Sequence, residues 1–412
     1  MKFTTAGCAT IVGAALLLSG CAVEPTGNQG DATELTIGWL LPQTGPISSL
    51  GSPQIAALEL AAADVAAAGG ANGLEIKWVG GDEAGDPAVA GQAVDRMIAA
   101  DVSAIIGAGS SSISLSVIDK ITGAGILQCS GMNTTPALTG YPDDGLYFRT
   151  VPSDVLQGGV LADRILADGG SSVAIIARSD AYATGLADAT ESSLREAGLT
   201  VAERVDYDPA ASNFDAEVRR IISSGADSIV LFSFDEGATI IQGLIQGGFG
   251  PDVVNLYGTD ALPISALASA VDPSNPAVIE GMTFTQASSG EGTSFTQRLL
   301  SEYPELPTTA FSPYFYDCAI LIALGVEATG SVVPREIADI MIDLTNGEVE
   351  CATFADCKAL LSDGKSIKYV GAAGPLEFDS EGEPTTGLYD ILVMDKTGSA
   401  PVVDTVRRTI GG

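Results

Sequence analysis

The sequence has no histidine among its 412 residues, and this absence excludes several kinds of chemistry. Without an imidazole there is no Ser-His-Asp triad, no histidine general base and no histidine-ligated metal. The GxSxG turn that carries the nucleophile of many hydrolases is also missing. We therefore expect a protein that is not an enzyme and that holds neither a metal nor a cofactor.

Positive charge is scarce as well. The chain has 19 Lys and Arg against 52 Asp and Glu, which gives a net charge of −33. Nucleic acids and anionic membrane surfaces attract basic proteins, so we expect neither of them as a partner. We interpret the acidic excess as a solvated surface that keeps the protein soluble.

Long hydrophobic runs are rare, and apolar residues 11–18 are too few to cross a bilayer. They are typical of a signal peptide. Residues 18–21, Leu-Ser-Gly-Cys, resemble a bacterial lipobox, which implies cleavage before Cys21 and lipid attachment there. We predict a lipoprotein signal peptide over 1–20 and a flexible tether over 21–34. The protein would then be extracytoplasmic, on the outer surface or in the periplasm, with the lipid as its membrane contact; an ordinary secretory signal is the alternative.

Cysteines are few, and four remain after the signal peptide and Cys21: Cys129, Cys318, Cys351 and Cys357. An even number in an exported protein favours disulfides. The last two are separated by five residues, so a local bridge between them is expected. The first two either pair or remain buried thiols, because the distance between their Cα atoms decides this.

From residue 35 onward, apolar segments alternate with amphipathic ones. We predict strands over 35–41, 75–80, 104–106, 126–129, 172–177, 200–207, 228–232 and 254–257. We predict helices over 55–67, 88–99, 113–122, 156–166, 182–196, 214–224 and 238–246. This alternation is typical of an α/β fold with parallel sheets covered on both faces.

The alternating pattern occurs twice, over 35–150 and 172–260, which predicts two doubly wound, Rossmann-like lobes with a cleft between them. A further helical segment follows at 311–345, and the tail over 374–407 is expected to be rich in β-strands. Parallel sheets bind ligands at the carboxyl ends of their strands, and small molecules favour clefts between lobes. The cleft is therefore the expected binding site.

A glycine- and serine-rich segment, IIGAGSSS (105–112), follows one strand and begins a helix. It lacks the third glycine of a dinucleotide-binding turn, because residue 112 is serine. The N–H groups of the first helical turn and the hydroxyls of Ser110 and Ser111 suit a carboxylate or phosphate. The alternative is a plain helix cap.

Other polar and aromatic residues follow strands at the same edges: Thr134, Tyr182, Phe234 and Asp260. The Thr134 hydroxyl suits the same anion, whereas the Asp260 carboxylate suits an ammonium group. The aromatic residues could cover an ammonium or an apolar side chain. Each also has a structural interpretation, as a helix start, core packing or a turn. Together they predict a zwitterionic ligand, of which an amino acid is the simplest.

Nine motifs are distributed along the chain after the tether: IGWLLPQTGPISSLGSPQIAALELAAADVAAAGGANG (37–73), DEAGDPAVA (82–90), IIGAGSSS (105–112), TTPALT (134–139), LYFRTVPSD (146–154), AYATGLA (181–187), YGTD (257–260), EGMTFT (280–285) and GPLEFDSEGEP (374–384). Their order and spacing resemble the branched-chain amino-acid-binding (Leu/Ile/Val-binding) type of solute-binding proteins. These serve ABC importers and have the type I periplasmic-binding fold.

The resemblance implies a role for each matching position. Ser111, Met132 and Thr134 fall where the family binds the ligand's carboxylate, and Asp260 where it binds the α-ammonium. The remaining matches are Tyr182 and Phe234, at aromatic positions of the second lobe, and Leu50, where an aromatic residue often lines the side-chain pocket. Leu50 and Phe234 depart from the Tyr-containing variants, which indicates an apolar pocket.

The resemblance also implies a hinge of three crossings, which we place near 152, 286 and 371. Lobe 1 would then contain 35–152 and 287–371, and lobe 2 would contain 153–286 and 372–412. We expect a monomeric solute-binding lipoprotein that captures an aliphatic amino acid and delivers it to a membrane permease. The alternatives are an amide, urea, a short peptide or an aromatic acid as cargo, a ligand sensor not coupled to transport, and a hydrolase built on Ser or Cys.

Overall fold

The computed structural model describes residues 1–4, 34–288, 290 and 293–410. The predicted lipid-attachment residue Cys21, most of the predicted signal peptide and nearly all of the tether lie outside these residues.

The first lobe is built on a five-stranded parallel sheet with strand order β2-β1-β3-β4-β5. Its strands are β1 (Glu34–Leu41), β2 (Glu75–Asp82), β3 (Ala104–Gly107), β4 (Leu127–Ser130) and β5 (Tyr147–Arg149). The helices between them are α1 (Gly51–Ala67), α2 (Pro87–Ala99) and α3 (Ser111–Gly123). β3 and β4 are buried along their whole length, as expected for central strands covered on both faces.

The second lobe repeats the same alternation. Its elements are α4 (Asp154–Ala167), β6 (Ser172–Arg178), α5 (Ala181–Glu196), β7 (Thr200–Tyr207), α6 (Asp215–Ser223), β8 (Ser228–Phe232), α7 (Gly237–Gln246), β9 (Asn255–Thr259), α8 (Ile264–Val271) and β10 (Thr283–Ala287). The N-terminus of α5 is capped by Asp180, whose carboxylate accepts the Ala183 N–H at 2.9 Å.

The chain then returns to the first lobe as α9 (Ser294–Glu302), α10 (Ser312–Thr329), α11 (Pro334–Asn346), β11 (Val349–Cys351), α12 (Phe354–Ser362), β12 (Ile367–Gly371) and β13 (Gly374–Pro375). The last three strands form a small sheet with order β11-β12-β13. No single helix among the described residues has the length and apolar composition to cross a membrane. α10 and α11 reach that requirement only as a pair, and the pair is bent by 106°.

Two final strands, β14 (Thr386–Val393) and β15 (Val402–Thr409), complete the second sheet, whose order is β15-β14-β10-β9-β8-β6-β7. β14 is antiparallel to β10, and the other strands from β10 to β7 are parallel. The predicted α/β fold class, with two doubly wound lobes, is confirmed.

The strand order places β1 to β5 in one sheet and β6 to β10, with β14 and β15, in the other. The three passages near 152, 286 and 371 stay a prediction, and the last of these positions falls at the end of β12, where the chain turns into β13. Asp317 of α10 holds this turn to the first lobe, since its carboxylate accepts the N–H groups of Ala372 at 2.8 Å and Ala373 at 3.1 Å.

Both candidate pairs of cysteines are bonded in the structure. Cys129–Cys318 joins β4 to α10, and Cys351–Cys357 joins β11 to α12. The first bridge decides the alternative that the sequence leaves open, because the Cα atoms of these residues lie 5.9 Å apart.

Candidate functional site

A cavity lies between the lobes, where strands of both sheets end. All eight residues predicted to bind ligand line it: Leu50, Ser110, Ser111, Met132, Thr134, Tyr182, Phe234 and Asp260. Four further residues line the cavity without having been predicted to bind ligand: Ile47, Gly109, Ala261 and Phe311. The fold thus brings together residues that are up to 264 positions apart in the chain.

The first-lobe wall carries neutral hydrogen-bonding groups. Ser111 is the first residue of α3 and Thr134 lies in the loop after β4. Both side chains are 2% exposed, and neither hydroxyl has a hydrogen-bond partner of good geometry among the described residues. A buried hydroxyl without a partner loses free energy, so a bound group that accepts hydrogen bonds would stabilise this wall.

Two N–H groups of the Gly-Ser loop before α3 have an acceptor within the protein. The buried Glu83 carboxylate already accepts the Gly109 N–H at 2.7 Å and the Ser110 N–H at 3.0 Å. Burial raises the pKa of Glu83 to about 8. An external anion at this wall would therefore contact the hydroxyls and the start of α3 rather than the loop.

The loop that carries Met132 and Thr134 is held in place by a buried arginine that the sequence analysis misses. Arg149 donates to the carbonyls of Asn133 at 3.1 Å and Thr135 at 2.9 Å, and it forms an ion pair with Glu383. The wall is therefore built before any ligand arrives. The motif FRT is visible in the sequence, but nothing local identifies the distant Glu383 as its partner.

The second-lobe wall is anionic. Asp260 follows β9 and is 4% exposed, and it accepts a hydrogen bond from the Tyr182 hydroxyl at 3.0 Å. The Ala287 N–H donates weakly to its second oxygen at 3.4 Å. Burial outweighs these hydrogen bonds and raises the pKa of Asp260 to about 6. The wall thus presents a buried carboxylate that a cation would stabilise.

Phe234 packs within an aromatic and cationic stack beside Asp260. Its ring lies 5.9 Å from the Tyr182 ring, nearly parallel to it, and 4.2 Å from the guanidinium carbon of Arg178. Arg178 also pairs with Asp180 and Glu236, near the starts of α5 and α7. The cation over Phe234 is therefore Arg178, and the ring forms an apolar side of the cavity.

A second carboxyl group behind the cavity, Asp154, is also missed by the sequence analysis. It is fully buried at the start of α4, and neither oxygen has a hydrogen-bond partner of good geometry among the described residues. Burial raises the pKa of Asp154 well above its usual value, and the negative charge of Asp260 raises it further. The nearby Thr134 hydroxyl acts on this pKa in the opposite direction. In the sequence it is indistinguishable from an ordinary acidic residue in a helix's first turn.

Neutral donors on one lobe, carboxyl groups on the other and apolar side chains between them suit a small molecule of mixed charge. The sequence profile of the periplasmic binding protein family matches residues 34–389. The chain belongs to the periplasmic binding protein family. It shares that family's two-lobed α/β architecture.

Two relatives match over most of their length. A Leu/Ile/Val-binding protein homolog from Brucella melitensis is 26% identical over 92% of this chain and 97% of its own. A substrate-binding protein of a chemotactic signal transduction system from Halobacterium salinarum is 28% identical over 86% of this chain and 85% of its own.

A solved structure shares the fold at a TM-score of 0.75 and 19% identity. It is a solute-binding protein of an ABC transporter from R. palustris in complex with 4-hydroxybenzoate, and the match covers 90% of this chain and 97% of that one.

Proposed function

We propose that the chain is the extracytoplasmic substrate-binding component of an ABC importer and that it captures an aliphatic amino acid between its lobes. One observation carries this proposal: the neutral donors Ser111 and Thr134 and the buried carboxyl group of Asp260 line the same cavity. A zwitterion is the ligand class that complements both walls. The name of the Brucella relative supports an aliphatic amino acid.

Each wall has a distinct role in the proposal. The hydroxyls of Ser111 and Thr134, with the start of α3, bind the ligand's carboxylate. Asp260 binds the α-ammonium, and Asp154 lies buried behind it with a pKa raised well above its usual value by burial. The ligand's side chain contacts the apolar lining, which consists of Ile47, Leu50, Met132, Phe234, Ala261 and Phe311.

Closure of the lobes about the three passages completes the site. Contacts to both lobes exist only when the cleft is closed, so ligand binding shifts the population toward the closed form. The closed protein then docks on the permease and releases its cargo. A lipid on Cys21 would keep the protein beside that permease, and the protein would act as a monomer.

An aromatic acid is the principal alternative cargo, because the R. palustris structure holds 4-hydroxybenzoate. The second-lobe wall argues against it here. A ligand without an ammonium leaves the buried carboxylate of Asp260 without a cationic partner.

Sensing rather than transport is the second candidate, favoured by the chemotactic role in the name of the Halobacterium relative. It changes the partner of the closed form and leaves the binding site as described. Genes for a permease and an ATPase beside this gene would favour transport.

A thermal-shift panel on the purified protein tests the ligand class. It contains the twenty amino acids, simple amides, urea, sugars, benzoate and 4-hydroxybenzoate. A ligand at 100 times its Kd stabilises the folded state by about 2.7 kcal/mol. Shifts confined to leucine, isoleucine, valine and similar amino acids support the proposal. Shifts only with aromatic acids, amides or sugars contradict the role of Asp260.

A further inference from the structure

Two hydrogen bonds join the lobes directly, beside the cavity. The Thr135 hydroxyl of the first lobe donates to the Ala181 carbonyl of the second at 2.8 Å. The Ala181 N–H donates to the Ser112 hydroxyl at 3.0 Å. None of these three residues lines the cavity. Both backbone groups of one residue are therefore bound across the cleft without any help from a ligand.

The N–H of Ala181 needs this partner because of its place in the fold. Ala181 is the first residue of α5, and the first N–H groups of a helix have no partner inside the helix. The Asp180 cap accepts the N–H of Ala183 instead. Ser112, in the first turn of α3, thus accepts a hydrogen bond from the first N–H group of α5, which belongs to the other lobe.

Gly185 lies one turn further along α5 and faces the same contact. A Cβ atom there would lie 2.7 Å from the Thr135 hydroxyl oxygen and 3.0 Å from Pro136 Cδ, both in the first lobe. Its backbone is helical, so conformational freedom does not explain the glycine. Glycine inside a helix costs roughly 0.5–1 kcal/mol relative to alanine. The close approach of the lobes is the feature that requires it.

We infer that Ser112, Thr135, Ala181 and Gly185 form an interlobe latch that stabilises the closed form whichever ligand is bound. The latch sets the fraction of closed protein, so it multiplies the affinity for every ligand by one common factor. It leaves the choice among ligands to the cavity lining. The inference rests on the proposed function, in which the closed form is the one that holds ligand.

Gly185→Ala and Gly185→Leu test the latch, since both add volume between the lobes while favouring the helix. Gly91→Ala is the matched control, because Gly91 is inside α2 and a Cβ there makes only an ordinary contact with Lys120. Calorimetry with leucine, isoleucine and valine is expected to show all three Kd values raised together by roughly tenfold in Gly185→Ala and more in Gly185→Leu. Gly91→Ala should bind like the parent.

A second pair of variants separates the hydrogen bond from the volume. Thr135→Val removes the donor at nearly constant shape, and Thr135→Ser keeps it. The latch predicts weaker binding of all three amino acids for Thr135→Val and recovery for Thr135→Ser. A changed ratio of leucine to valine affinity would overturn the inference, because it would show that these residues act on the ligand itself.

A ligand-free measurement keeps the latch separable from the proposed function. Spin labels on the two lobes report the distance across the cleft, and Gly185→Leu should lengthen its mean value. If the parent binds no amino acid but the cleft still widens, the proposed ligand class fails and the latch stands. If the parent binds and neither its Kd values nor the cleft distance responds to Gly185→Leu, the latch is refuted.

Discussion

The first-lobe wall of the cavity consists of neutral donors at the start of α3 and on the loop that Arg149 holds, whereas the second-lobe wall consists of carboxyl groups whose pKa values burial raises. Ser111 and Thr134 need no change of charge to bind an anion. Asp260, with a pKa raised to about 6, gains most from a cation that replaces its lost solvation. The first wall therefore suits any carboxylate, and the second decides whether an ammonium group accompanies it.

The largest expected effect concerns the scaffold of the first wall. Arg149→Met leaves Glu383 buried without its cation and frees the carbonyls of Asn133 and Thr135. Breaking such a pair costs about 3–5 kcal/mol of unfolding free energy, which urea denaturation measures. Arg149→Met combined with Glu383→Leu should recover part of the loss. Full stability of the single variant would mean that the loop is held by other contacts.

Asp260→Asn removes the charged group of the second-lobe wall. Loss of the charge that faces the ammonium should weaken leucine binding by about 2–5 kcal/mol in calorimetry. Asp390→Asn is the control, because Asp390 is a buried carboxyl on β14 that does not line the cavity. In the parent, affinity should fall as the pH drops below about 6, since a proton then competes with the ammonium for Asp260. If Asp260→Asn binds leucine as tightly as the parent, Asp260 does not bind the ammonium group.

Ser111→Ala gives a smaller change on the first wall. Its hydroxyl has no protein partner of good geometry in the described part of the chain, so unfolding free energy should hardly change. Affinity for leucine should fall by about 1.5–3 kcal/mol, the range for a hydrogen bond to a charged group. Ser114→Ala, on the same helix, removes a hydroxyl that accepts the Ala108 N–H and should instead lower stability. If Ser111→Ala binds leucine as tightly as the parent, the hydroxyl of Thr134, and not that of Ser111, binds the carboxylate.

Most strands and helices of both sheets could be predicted within a few residues because buried strands appear as continuous apolar runs. β5, α8 and β10 are not predicted. β10 is the most informative of these, because it is central in the second sheet. Its sequence, TFTQA, breaks the apolar run with Thr and Gln, and its burial depends on β9 and β14 on either side. The pattern of one segment carries no information about neighbours that are distant in the chain.

The same limit separates the predicted site residues from the missed ones. Asp260 and Thr134 follow strands, so topology alone brings them to the cleft. Arg149 and Glu383 are 234 residues apart, and only the folded chain shows that each is buried against the other. Glu83 likewise looks like a surface acid until its hydrogen bonds to the Gly-Ser loop are seen.

The first-lobe wall also has a titratable carboxyl group, because Glu83 lies behind the Gly-Ser loop. The difference in charge between the two walls is therefore smaller than their lining residues indicate. Its pKa rises from 4.5 to about 8 on burial, so the folded state binds its proton more tightly than the unfolded state does. Its contribution to stability is therefore present below about pH 4.5 and is lost as the pH rises to about 8. Within that window the loss is at most about 1.4 kcal/mol per pH unit.

Glu83→Gln mimics the protonated side chain and should flatten the fall of unfolding free energy between about pH 5 and 8, as urea denaturation at each pH would show. Asp260→Asn should flatten it only below about pH 6, where Asp260 titrates. Different windows for the two variants would show that both walls carry a titratable carboxyl, one touching the ligand and one behind the loop. An unchanged slope in Glu83→Gln would mean that hydrogen bonds from Gly109 and Ser110 keep Glu83 ionised, and that the first wall already holds an anion of its own.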